Sequence, residues 1–168
     1  SGNIGATNVL RTGNKYLAFS TLFLDGLKGY IPVAIVYNFY PDQIQISSLM
    51  VFLGHVFPVW LKYKGGKGVA TYLGVLFALS LSLSMLFIFT WVVISLIFKY
   101  ASLSSIFSSL TVLVVTVLKD NVVNSIDPNS LQNGNIKTIL FIFFILIIFT
   151  HRKNISNLKN KTETKIKI

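Results

Sequence analysis

Hydrophobic residues in this chain fall into long runs, separated by short polar, glycine-rich or basic segments. The first run covers residues 16–36, "YLAFSTLFLDGLKGYIPVAIV", and is interrupted by Asp25 and Lys28; the segment "YNFYPDQ" after it has no Lys or Arg. A second run, 44–60, ends in "GHVFPVW" and is followed by the basic segment "KYKGGKG". Runs at 69–98, 103–118 and 136–150 complete the series, with a polar segment at 119–135 and a basic tail from His151. Several runs approach the ~20 apolar residues that a membrane-spanning helix needs. One helix over 69–98 would be about 45 Å long at 1.5 Å per residue, too long for a hydrocarbon core of about 30 Å without strong tilt. Ser80, Ser82 and Ser84 lie in its middle, so the pattern predicts two short helices meeting there. The expected fold is all-α, a polytopic transmembrane bundle with about six membrane helices, forming one integral-membrane domain over 1–168.

Composition supports this class. The chain is 53% hydrophobic and 12% charged, against roughly 25% charged in an average soluble domain. With no cysteine, disulfides, thiol nucleophiles and Cys-based metal sites are excluded. Two His far apart and five scattered acids make no metal-ligand cluster. The net charge of +10 is read as a positive-inside pattern rather than a nucleic-acid footprint, because the basic residues sit between and after the apolar runs. Placing Arg11, Lys15, Lys62, Lys64, Lys67 and the basic tail 151–168 on one side of the membrane requires the break in 69–98. Charge and length therefore agree, and they put the tail and the two basic loops in the cytoplasm.

Three segments carry candidate chemistry. In "SGNIGATNVLR", Gly2 and Gly5 permit positive φ and close backbone approach, Ser1, Asn3, Thr7 and Asn8 supply donors, and Arg11 suits bidentate phosphate binding. Exposed N–H groups in such a turn form an anion-binding concavity, and a helix beginning near Thr7 would add to its field. The alternative is a helix cap with an interfacial Arg. In "GHVFPVWLKYKGGKGVAT", the stretch "KGGKG" looks like a phosphate loop but lacks Walker A spacing. Snorkelling lysines and a packed His55 are the alternative there. In "HRKNISNLKNKTETKI", His151 and Asn154 share a face if the helix continues; a polybasic tail reading anionic lipid competes. Asp25 and Lys28, three apart within a span, are expected to pair, either as structure or as part of a site.

These three segments, in this order and at these separations, resemble the cytoplasmic motifs of the bacterial acyl-phosphate:glycerol-3-phosphate acyltransferases, the PlsY family. "LDGLKG" and "YASLSSI" are also similar to that family, and the resemblance covers essentially the whole chain. It implies a multi-pass enzyme of the bacterial cytoplasmic (inner) membrane with its site facing the cytoplasm. The implied reaction moves an acyl group from acyl phosphate to the 1-hydroxyl of glycerol 3-phosphate. It gives lysophosphatidic acid and phosphate, the opening step of phospholipid synthesis, without a cofactor. The HxxxxD motif of the other glycerol-phosphate acyltransferase class is absent, since Trp60 and Ser156 stand five residues after His55 and His151.

By resemblance, Ser1, Arg11, His151 and Asn154 are the catalytic candidates. Asn3, Gly5, Thr7, Asn8, His55, Lys64, Gly65, Gly66 and Lys67 are the substrate-binding candidates, and no metal is implied. Ser1 is expected to donate to phosphate rather than act as a nucleophile, because acyl phosphate is already activated. His151 orients the glycerol hydroxyl or takes its proton, with a substrate phosphate oxygen as the competing base. The family's third motif usually reads near "HRxNIxRLxxGxE"; here Asn157 replaces Arg and Lys161 replaces Gly. The family's first spanning helix is expected before Ser1, for seven in the full-length protein. The expected partners are the two substrates and membrane lipids, with no nucleic acid; the oligomeric state is left open. A small transporter or channel subunit, and a lipid-binding scaffold without activity, are the rival readings.

Overall fold

A computed structural model describes residues 4–123 and 135–166. Among the described residues all regular structure is helical. The helices are α1 (Ala6–Leu10), α2 (Lys15–Phe39), α3 (Ile44–Val56), α4 (Val69–Leu79), α5 (Leu81–Phe98), α6 (Ala101–Val123), α7 (Asn135–Thr150) and α8 (Arg152–Lys159). Short 3₁₀ turns occur at Pro41–Gln43 and Val59–Leu61. Four segments are long and apolar enough to cross a membrane, and a fifth is the bent pair Ile136–Thr150 and Arg152–Lys159; α4 is a shorter apolar helix. The break expected within 69–98 falls at Ser80, which is extended and whose hydroxyl accepts from the Leu83 amide to start α5. The chain divides into two compact units, 1–84 and 85–168.

In the N-terminal unit, the Asn14 side chain caps α2 by accepting from the Leu17 amide at 3.0 Å, one of the four orphan donors of a helix start. Pro32 is accommodated within α2, as proline often is in membrane helices. The chain then turns through Pro41 into α3, which buries Ile44, Ser48, Phe52 and His55 along one face. The α2–α4 contact is made by backbone. A Cβ on Gly74 would strike the Gly26 carbonyl oxygen, and one on Gly29 would strike the Thr71 carbonyl. This is the small-residue packing by which membrane helices approach closely where the hydrophobic effect cannot drive association. Much apolar surface faces outward, including Phe19, Leu24 and Ile46, as expected of a lipid-facing exterior rather than of a soluble surface.

In the C-terminal unit, α6 packs along α7, with Val112, Ile139, Leu140, Phe143 and Ile147 buried. The first turns of α6 are rich in buried serine: Ser102, Ser104, Ser105, Ser108 and Ser109. Most of these hydroxyls, with that of Thr116, donate to carbonyls three or four residues earlier, which lets hydroxyls sit in an apolar helix pair without a stranded polar atom.

Candidate functional site

The first motif forms a short helix and a turn. Gly5 takes φ +137°, and its carbonyl accepts from the Asn8 and Val9 amides. Arg11 Nη1 donates to Asn8 Oδ1 at 3.3 Å, and Thr7 and Arg11 are exposed. With five residues, α1 is little more than one turn, too short for the helix-terminus field proposed from the sequence. Ser1 and Asn3 lie outside the described residues.

The second motif folds back onto the end of α3. Gly65 N–H donates to the Val56 carbonyl and Gly66 N–H to the His55 carbonyl, both at 3.2 Å. These are orphan acceptors of the last helical turn, so both glycine amides serve as a C-terminal cap. No side chain fits at either position. A Cβ on Gly65 would meet the His55 and Val56 carbonyl oxygens, and one on Gly66 would meet the His55 imidazole at Nε2. Gly68 takes φ +82° under the Phe52 ring and opens α4. The loop also holds Lys62 and Tyr63 in the left-handed region, at φ 51° and 62°. That conformation costs roughly 1–2 kcal/mol per non-glycine residue, and such strain gathers at functional turns. Lys64 is exposed and Lys67 half-buried.

His55 is buried. Its Nδ1 makes no hydrogen bond of standard geometry and lies 3.5 Å from Asp25 Oδ1. Lys28 Nζ pairs with the same oxygen at 2.6 Å. The i,i+3 spacing within α2 announced the Asp25–Lys28 pair. The approach of His55 was not legible, because it joins two helices and depends on how they pack. Among the described residues, the hydroxyls of Ser48 and Thr71 in this unit are also buried without a hydrogen-bond partner.

In the C-terminal unit the helix does not run straight through the third motif: α7 and α8 meet at His151 with a 57° bend. His151 and Asn154 are both buried. His151 Nδ1 lies 2.8 Å from the Ile147 carbonyl oxygen. A carbonyl can only accept, so Nδ1 carries the proton and, in the neutral ring, Nε2 keeps its lone pair. Asn154 Nδ2 donates to Glu163 Oε1 at 2.6 Å, Ser102 Oγ donates to the same oxygen at 3.1 Å, and Asn157 Nδ2 donates to Oε2 at 3.3 Å. Glu163 thus ties the tail to α8 and to the start of α6. The Ile166 amide adds a bond to the Lys99 carbonyl at 2.7 Å. Of the two departures in this motif, Asn157 keeps a donor for Glu163, whereas Lys161 stands at φ +59°, where glycine is free of the Cβ penalty. The gathering role of Glu163 was missed from sequence, and its signal was only its spacing from Asn154.

Within the N-terminal unit, His55, Gly65 and Gly66 are brought together with Asp25, and Asn8 with Arg11. Within the C-terminal unit, His151 and Asn154 flank one helix bend.

Long apolar helices joined by polar, glycine-rich turns define a polytopic α-helical membrane protein. The family model described as glycerol-3-phosphate acyltransferase matches residues 1–161. A glycerol-3-phosphate acyltransferase of Pelagibacter ubique is 53% identical over the whole chain, which covers 81% of that protein. One of Mesorhizobium japonicum is 43% identical over 99% of the chain and 79% of its own length. The chain is also similar to the crystal structure of PlsY (YgiH), an integral membrane glycerol 3-phosphate acyltransferase, in its glycerol 3-phosphate form. There the TM-score is 0.88 at 34% identity, over 99% of this chain and 80% of that one. The lysophosphatidic acid form of PlsY gives a TM-score of 0.86. The chain belongs to the glycerol-3-phosphate acyltransferase family, and it is a membrane-embedded acyltransferase.

Proposed function

We propose that this enzyme transfers an acyl group from acyl phosphate to the 1-hydroxyl of glycerol 3-phosphate. The products are lysophosphatidic acid and inorganic phosphate, at the cytoplasmic face of the bacterial inner membrane, as the first step of phospholipid synthesis. The observation that carries the reading is the likeness, over 99% of the chain, to PlsY in its glycerol 3-phosphate form. The glycerol O1 attacks the acyl carbonyl carbon, and the bond from that carbon to the phosphate oxygen breaks. Phosphate leaves with the electron pair, and the hydroxyl proton passes to His151 or to a phosphate oxygen. The donor is already activated, so no acyl-enzyme is needed. The acyl chain lies among the helices, open to lipid.

Both substrates are anionic, so the site needs fixed positive and N–H partners for phosphate. Ser1, Asn3, Gly5, Thr7, Asn8 and Arg11 of the first motif, and His55, Lys64, Gly65, Gly66 and Lys67 of the second, are assigned to that task. The bonds made by Gly65 and Gly66 N–H to α3 carbonyls give these glycines the role of shaping the turn, with the lysines supplying charge. In the third motif, His151 with its Nδ1–H held by the Ile147 carbonyl has the tautomer of a proton acceptor at Nε2. The amide of Asn154 is engaged by Glu163, which makes its contribution one of holding the bend at His151.

Proton transfer by a placed side chain contributes about 10²–10⁴-fold. His151→Ala should therefore lower turnover at least about a hundredfold, with the protein still monodisperse in detergent. Near-normal turnover would remove His151 from proton transfer and leave the substrate phosphate as the base. Absence of lysophosphatidic acid from the wild-type protein supplied with acyl phosphate and glycerol 3-phosphate would overturn the whole reading.

A further inference from the structure

Asp25 has no role in the reaction proposed above, yet it is an acid within a membrane helix and faces a buried imidazole. We infer that Asp25 is a positioning residue for the second-motif turn: its carboxylate fixes the His55 ring, and the ring fixes the backbone of Gly65 to Lys67. The inference rests on the acyltransfer reading for the substrate it affects, glycerol 3-phosphate. An intramembrane charge is costly and persists where it is paired and used.

The two edges of the His55 ring face different elements. Nδ1 lies 3.5 Å from Asp25 Oδ1, while the Nε2 edge lies so close to Gly66 that a Cβ there would fall on it. The ring is thus a wedge between α2 and the turn. Asp25 itself is anchored twice. Lys28 holds Oδ1 at 2.6 Å, and the adjacent Gly26 is locked in backbone contact with Gly74 of α4. A carboxylate facing one imidazole nitrogen selects the ring tautomer and orientation, as it does for histidines that bind metals or act in catalysis. With the proton on Nδ1, the neutral ring presents its Nε2 lone pair to the turn. Gly66 N–H is bonded to the His55 carbonyl, so movement of His55 is transmitted directly to the residues preceding Lys67. A purely structural Asp25–Lys28 pair would instead leave the His55 tautomer and the two substrates' KM values indifferent to Asp25, except through loss of folded protein.

Imidazole ¹⁵N–¹H correlation on the ¹⁵N-histidine-labelled full-length protein, with the signals of His55 and His151 assigned by His55→Gln and His151→Gln, reads both tautomers. His151, held on the Ile147 carbonyl, is the internal control. The expected result is a protonated Nδ1 on His55 in the wild type, lost from a large share of molecules in Asp25→Ala, with His151 unchanged. In kinetics, Asp25→Ala should raise KM for glycerol 3-phosphate at least tenfold, with kcat and KM for acyl phosphate changed less than about threefold. Asp25→Asn, whose amide oxygen can take the same place opposite Nδ1–H, should recover most of that loss. An unprotonated Nδ1 in the wild type overturns the inference without needing a variant that folds. So does a folded Asp25→Ala or Asp25→Asn protein in which both KM values and kcat move together or not at all. A wild type that makes no lysophosphatidic acid counts against the acyltransfer reading, and the wild-type tautomer then decides the Asp25–His55 contact by itself.

Discussion

In the C-terminal unit, the buried hydroxyls of Ser104, Ser105, Ser108 and Thr116 each bond back to a carbonyl of their own helix. In the N-terminal unit, Ser48 and Thr71 are equally buried, yet their hydroxyls have no hydrogen-bond partner among the described residues. Stranded buried polar atoms cost about 1–3 kcal/mol each, and a native structure keeps them where strain or function requires it. The two units also pack differently. The N-terminal unit brings helix backbones together through Gly26, Gly29 and Gly74. The C-terminal unit uses side chains, with Glu163 collecting Ser102, Asn154 and Asn157. One unit is glycine-shaped and leaves polar groups open; the other is tied by side chains, and its α6 hydroxyls are internally satisfied. The phosphate-admitting turn proposed above belongs in the first kind. A bend that must hold a histidine still belongs in the second.

The sharpest way to break this contrast is Gly74→Leu. A Cβ there already collides with the Gly26 carbonyl, and that oxygen is backbone and cannot step aside, so folded protein should be lost on size exclusion in detergent. Ser108→Ala in the C-terminal unit removes a hydroxyl bonded to Ser104 O of its own helix and should change stability by less than about 1 kcal/mol. Equal losses from the two changes would erase the distinction between backbone-made and side-chain-made packing. Next in size is Glu163→Ala, which strands the buried Asn154 amide and releases the tail. Activity should fall at least tenfold, and proteolysis beyond residue 150 should accelerate. Glu163→Gln, which keeps an acceptor oxygen, should restore part of both, and a tail that stays protected without Glu163 would contradict its gathering role. The smallest effect expected is from Asn14→Ala, which removes the N-cap of α2 and should cost about 1 kcal/mol, read as a lower melting midpoint with KM values unchanged.

The spans were legible because membrane hydropathy is a local signal. Runs of apolar residues marked α2, α3, α6 and α7 within a few residues, and a length argument split the run 69–98 near Ser80 to Ser84, where α4 gives way to α5 at Ser80. The Asp25–Lys28 pair was legible because i,i+3 geometry is fixed by the helix itself. What escaped were contacts between elements distant in sequence: Asp25 with His55, the Gly66 backbone against that ring, and Ser102 with Glu163. None of these follows from spacing, since each depends on which helix faces meet. The third motif shows the limit within one element. The i,i+3 spacing puts His151 and Asn154 on one face only if the helix continues, and spacing does not reveal that the helix bends at His151, where both side chains are buried.

The central claim is that a phosphate-activated acyl donor, and no other, is used by this membrane site. The direct test is donor discrimination by the purified full-length protein with glycerol 3-phosphate. Acyl phosphate, acyl-CoA and acyl carrier protein of the same chain length are offered separately, while lysophosphatidic acid and inorganic phosphate are measured together. The account predicts one phosphate released per lysophosphatidic acid formed from acyl phosphate, and no product from the two thioesters. Lysophosphatidic acid made from either thioester, or phosphate released without it, would contradict the account.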